Sequence, residues 1–101
     1  MDWAIAALAV MVKENSNDNN MVVYPNPFHA ATTFEFNLKE DADVSLKLID
    51  AVGKEVALLL NEHKHPGDFK INFDKGQIVA GIYFYELKIN GNIKTGKISI
   101  Q

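Results

Sequence analysis

Gly81-Ile82-Tyr83-Phe84-Tyr85-Glu86-Leu87-Lys88-Ile89-Asn90-Gly91-Asn92-Ile93-Lys94-Thr95-Gly96-Lys97-Ile98-Ser99-Ile100 is the stretch that decides the fold. Tyr83, Tyr85, Leu87 and Ile89 fall on one side of an extended chain, while Ile82 and Phe84 on the other side give way to Glu86 and Lys88. A period of two is the mark of a β-strand, and a first half that is apolar on both sides places Ile82–Ile89 centrally in its sheet. Asn90-Gly91 tolerates the positive φ of both middle positions of a type I′ turn, so the chain turns back as a hairpin. On the returning strand Ile93 and Thr95 have one parity, and Ile98 and Ile100 the other. A one-residue bulge at Gly96-Lys97 is expected, which would bring both isoleucine groups to the core.

The same period runs backward from this hairpin to Met21. Met21–Tyr24 reads as a first strand. Phe34, Phe36 and Leu38 alternate with polar residues in a second, and Val44, Leu46 and Leu48 do so in a third. Val56, Leu58 and Leu60 share a face of a fourth strand, and Phe69, Ile71 and Phe73 one of a fifth. Between the third and fourth, Gly53 supplies a left-handed residue and Asp50 caps the turn through its carboxylate. Pro66-Gly67 turns into the fifth strand, and Gly76 and Gly81 bracket the loop into the sixth. Seven short strands with turn signals about every ten residues predict an all-β, antiparallel, immunoglobulin-like or fibronectin-like sandwich. The cysteine–tryptophan–cysteine set of antibody domains is missing, since the chain has no cysteine and Trp3 precedes the strands.

Two regions are expected: residues 1–20, an apolar segment with an Asn-rich linker, and residues 21–101, the sandwich. Met1 to Val12 is apolar except for Asp2, reads as a short helix or the tail of a preceding domain, and is a candidate for self-association. It is too short to span a bilayer, and it lacks the positive n-region of a secretory signal. The formal charge of -3, with ten Lys and Arg scattered along the chain, gives no basic face for nucleic acid.

The polar residues offer little chemistry. Ser16 lies in the linker, Ser45 and Ser99 face outward on strands, and no base accompanies any of them. His63-x-His65, with Glu62 and Asp68 nearby, has the donor types of a weak zinc or copper site. Loop histidines flanking Lys64 read instead as solvated, because the ammonium opposes a cation; His29 reads as a loop residue, and Glu40, Asp41 and Asp43 as a solvated acidic turn. Tyr83-Phe84-Tyr85 could form a carbohydrate-stacking platform, which would make this a fibronectin-like accessory binding module of a secreted protein. The stripe continues into Leu87 and Ile89, which favours core packing. No catalytic residue, metal or cofactor is assigned, and the chain reads as a non-enzyme.

The turn and strand-end residues form an ordered set. Tyr24-Pro25-Asn26-Pro27-Phe28 is followed by Thr32-Thr33-Phe34, then by Val44 to Asp50 with Gly53-Lys54-Glu55-Val56. Pro66-Gly67, Gly81-Ile82-Tyr83-Phe84-Tyr85 and Lys97-Ile98-Ser99-Ile100-Gln101 complete it. From about Met21 to the last residue the sequence resembles the C-terminal sorting domains, type A, of the type IX (Por) secretion system of Bacteroidetes. The resemblance implies a signal that directs a covalently preceding cargo protein from the periplasm across the outer membrane to the cell surface or medium. It implies as partners the outer-membrane secretion machinery and a sortase-like peptidase, with recognition mapping to Gly81, Tyr83, Gly91 and Lys97. The proline pair gives a stiff entry into the second strand, with Tyr24 and Phe28 expected to anchor it in the core. Gly81 is expected to permit close backbone approach, and the last hairpin to expose Lys94 and Lys97.

Overall fold

The structure is a computed structural model, and it describes residues 21–101. The expected N-terminal helix, its self-association and the linker lie outside the described residues. Alternating sequence has become seven strands: β1 (Met21–Tyr24), β2 (Ala31–Leu38), β3 (Ala42–Ile49), β4 (Glu55–Lys64), β5 (Gly67–Asp74), β6 (Gly81–Ile89) and β7 (Asn92–Ile100). They pair antiparallel in two sheets, ordered β1-β2-β5 and β4-β3-β6-β7. In the constant-type immunoglobulin arrangement the fourth strand completes the first sheet; here it pairs with β3.

The inward sides of the two sheets close on each other. Phe34, Phe36 and Leu38 of β2 meet Val44, Leu46 and Leu48 of β3, Leu87 of β6 and Ile98 of β7 in one buried cluster. An aromatic chain crosses it: Phe28 lies edge-on to Phe73, Phe73 to Phe34, and Phe34 to Tyr85, with centroids 5.9–6.4 Å apart. Full burial of each phenylalanine contributes about 1.5–3 kcal/mol, and the edge-on geometry adds roughly 0.5–1.5 kcal/mol per pair. As its sequence predicts, β6 is interior, paired with β3 on one side and β7 on the other.

Two strand readings are corrected. No bulge interrupts β7: the register runs unbroken from Ile89↔Asn92 to Gly81↔Ile100. Ile93 stays on the outer face, 54% exposed, while the inward position at Gly96 is filled from across the ladder by the ring of Tyr85. The register shifts lie in the β3–β4 pairing, where Leu46 faces Leu60 but Lys47 faces Leu58, and Leu48 faces Ala57 but Ile49 faces Glu55. An extra residue in an edge strand reverses its parity. Leu60 and Ala57 therefore pack on the core, and Leu58 turns outward.

Candidate functional site

The end of the β6–β7 hairpin nearest the last residue is held by a segment from the other end of the domain. In Pro25-Asn26-Pro27 neither proline has an amide to donate, so this stretch cannot pair as a regular strand and its polar contacts fall to Asn26 and Phe28. Both X–Pro bonds, Tyr24-Pro25 and Asn26-Pro27, are cis. Asn26 Nδ2 donates to the Lys97 carbonyl at 3.0 Å, and its Oδ1 accepts from the Ser99 amide at 3.0 Å. Phe28 then donates its amide to the Ser99 carbonyl, and its own carbonyl accepts from the Gln101 amide. The result is a short parallel bridge, Phe28↔Ile100. Thr32 Oγ1, buried at the start of β2, donates to the Pro25 carbonyl at 2.7 Å and fixes the clamp from below. Phe28 reaches the core, but Tyr24 does not. The phenol of Tyr24 is exposed and donates to Glu35 Oε1 at 2.8 Å, so only one of the two expected anchors is buried. That hydrogen bond, ahead of local desolvation, holds the Tyr24 pKa above its ordinary value.

The recognition residues implied by the resemblance divide between the two ends of the hairpin. Gly81, Tyr83 and Lys97 sit at the clamped end, where Gly81 pairs with Ile100 and Tyr83 with Ile98. Lys97 is exposed on the outer face beside Phe84, and Ile82 and Ser99 complete that corner. Tyr83 is buried, and its hydroxyl donates to the Val79 carbonyl at 2.6 Å, which pins the loop before β6. Gly81 serves its φ of 155° rather than close packing, since an added Cβ would meet only the Tyr83 ring at an ordinary 3.7 Å. Gly91 marks the far tip, where Asn90 (φ 49°) and Gly91 (φ 88°) form the two-residue turn. Lys94 is half-buried rather than exposed.

Asp50 is the cap that the sequence indicates. Its Oδ1 accepts from the amides of Val52 and Lys54, at 3.0 and 2.9 Å, around Gly53 at φ 90°. The histidines are not where the sequence places them. β4 extends through Lys64, so His63 lies on a strand and is paired with Asp43 across the ladder, while His65 contacts Asp41. Glu62 and Asp68, the carboxylates near them in sequence, are engaged elsewhere, by Lys64 and Asn37. The acidic turn is thus one half of a cross-strand pairing. Its sequence signal is the shared i, i+2 spacing of Asp41-x-Asp43 and His63-x-His65.

The stacking platform dissolves. Tyr83 is buried, and Tyr85 lies half-buried over Gly96, so the pair offers no exposed coplanar surface. Burial pushes the Tyr85 phenol above its ordinary pKa.

No curated protein matches the chain. Residues 22–101 match the family described as the secretion system C-terminal sorting domain, a span that includes the proline clamp and every strand but the first residue of β1. With that match over most of its length, the chain belongs to the secretion-system C-terminal sorting domains, the sorting signals of type IX secretion.

Proposed function

We propose that the machinery reads this sorting domain at the clamped end of the β6–β7 hairpin, through the outer-face corner of Ile82, Phe84, Lys97 and Ser99. The observation that carries this reading is the double hydrogen bond from Asn26 to the backbone of Lys97 and Ser99, which fixes that corner. A receptor meeting a preorganised surface loses less ordering entropy on binding. Exposed Ile82 supplies apolar area on the same face as Lys97, a mixture that suits an interface. Tyr83 and Gly81 act by positioning the adjoining loop, and Gly91 by setting the hairpin register.

A type IX sorting signal works with the secretion machinery and a preceding cargo, and implies export to the cell surface or secretion. In the fuller reading the cargo passes through the periplasm of a Bacteroidetes cell, and a sortase-like peptidase removes the domain by cutting ahead of β1. The domain itself acts by being recognised and not by catalysis. Fusing residues 21–101 to a periplasmic reporter tests this in a host with type IX secretion. The reporter is expected at the surface or in the medium; a folded fusion that stays in the periplasm refutes the reading.

A further inference from the structure

The outer face of the four-stranded sheet carries two His–Asp pairs side by side. Asp43 and His63 oppose one another in the β3–β4 register, with His63 Nδ1 2.8 Å from Asp43 Oδ1. Strand alternation returns the next-but-one residues to the same face, and there His65 Nδ1 lies 3.2 Å from Asp41 Oδ1. The two imidazoles stand edge-on, 5.9 Å between centroids. One donor atom from each of Asp41, His63 and His65 lies within 4.8 Å of the others. We propose that this ladder binds a divalent transition-metal ion, with His63, His65 and Asp41 as ligands and Asp43 orienting His63.

The donor set selects the ion. Two imidazoles and a carboxylate suit zinc, copper(II) or nickel, whereas calcium and magnesium demand oxygen ligands. At bond lengths near 2.0 Å a tetrahedral zinc site has ligand–ligand edges of roughly 3.3 Å. The 3.2 Å separation of His65 and Asp41 already matches such an edge. The His63 donor, within 4.8 Å of the other two, closes by side-chain rotation, which exposed side chains make at little cost. With Nδ1 of His63 engaged by Asp43, Nε2 is left for the ion, the carboxylate–histidine–metal arrangement that fixes tautomer and ring direction.

The neighbouring charges permit it. Lys64, between the histidines in sequence, points to the opposite face, where it pairs with Glu62 at 3.3 Å and lies 5.3 Å from the centre of the Phe69 ring. Lys88 of β6 lines the shallow groove beside Asp43 and His63, together with Asn90. Two aspartates therefore face two imidazoles, with Lys88 in the groove beside them. An ion here would tie the β2–β3 connection to the end of edge strand β4, a role separate from the export reading.

Calorimetry of the full chain with zinc chloride at about pH 7.5 tests the site, with calcium as the control. One saturable site is expected with zinc and none with calcium. His63→Ala and His65→Ala each weaken binding more than tenfold, Asp43→Asn weakens it about tenfold, and His29→Ala leaves it unchanged. Zinc raises the melting temperature of the parent chain but not of the double variant His63→Ala/His65→Ala. Independently of any variant, the imidazole resonances of His63 and His65 shift together on zinc addition in NMR spectra. The proposal is overturned by the absence of saturable zinc binding, by binding that survives the double histidine variant, or by unmoved His63 and His65 resonances.

Discussion

Asn26 and Ser99 are 73 residues apart in sequence, and the side-chain Oδ1 of Asn26 accepts the Ser99 amide at 3.0 Å while its Nδ2 donates to the carbonyl of Lys97. One side chain thus does for the outer edge of β7 what a neighbouring strand would do. It joins the loop after β1 to the last strand of the domain.

Asn26→Ala removes both bonds and is expected to lower stability by about 1–3 kcal/mol, at roughly 0.5–1.5 kcal/mol for each hydrogen bond. Urea unfolding measures the loss, and hydrogen exchange at the Ser99 amide should accelerate locally. Asn26→Asp keeps the acceptor but sets a carboxylate oxygen against the Lys97 carbonyl, so it should not restore the parent stability.

Gly96 is required by its neighbour across the ladder. A Cβ at this position would lie 2.5 Å from Cζ and Oη of Tyr85, so Gly96→Ala displaces the ring. The expected cost is about 1–3 kcal/mol, the usual range for overpacking. In a Tyr85→Ala background the same substitution should cost much less, and a double-mutant cycle by thermal or urea unfolding gives the coupling.

The Tyr85 phenol has its pKa raised by burial, so the folded state favours the neutral form. Its contribution to stability is complete below the unfolded tyrosine value, about 10, and is lost as pH rises above that value through the folded pKa. Urea midpoints measured across the alkaline range should fall. Tyr85→Phe should flatten that fall, because the residue no longer ionises.

Asp50→Ala leaves the Val52 and Lys54 amides without their acceptor in the β3–β4 turn. A loss of roughly 1–2 kcal/mol is expected from unfolding curves, with Asp50→Asn losing less because an amide oxygen still accepts.

Lys97→Glu reverses the charge at the proposed recognition corner without touching the backbone carbonyl that Asn26 holds. Stability should stay within about 0.5 kcal/mol of the parent, as for most exposed substitutions. Export of a reporter fused to the domain should fall, read as the fraction of reporter at the surface. An unchanged fraction would remove Lys97 from the recognition surface.

Much of this was legible in the residues themselves. The inward sets of β2, β3, β5 and β6, the Asn90-Gly91 turn and the Asp50 cap all follow from local rules: strand alternation, a positive-φ tolerance, a short carboxylate beside free amides. The two strand-face failures share one cause. The parity change in Ile93…Ile98 suggested a bulge in β7, yet the strand is regular because the Tyr85 ring covers Gly96 and Ile93 tolerates solvent. The Leu58-Leu59-Leu60 run, which has the same ambiguity, does contain the shift. A parity break shows that some residue must leave its face; the partner strand selects which one.

By itself, then, the sequence determined the number of strands, the inner faces of β2, β3, β5 and β6, and the tight turns, because each depends on residues adjacent along the chain. It also carried the ordered motifs on which the resemblance to the family rests. Only the tertiary structure decided that Asn26 holds the backbone of Lys97 and Ser99, that Tyr24 stays outside while Phe28 is buried, and that Asp41 and Asp43 meet His65 and His63. Those contacts join segments separated by 20 or more residues, up to 73. They depend on register and on which strands become neighbours, quantities fixed by closing the whole core rather than by any local preference.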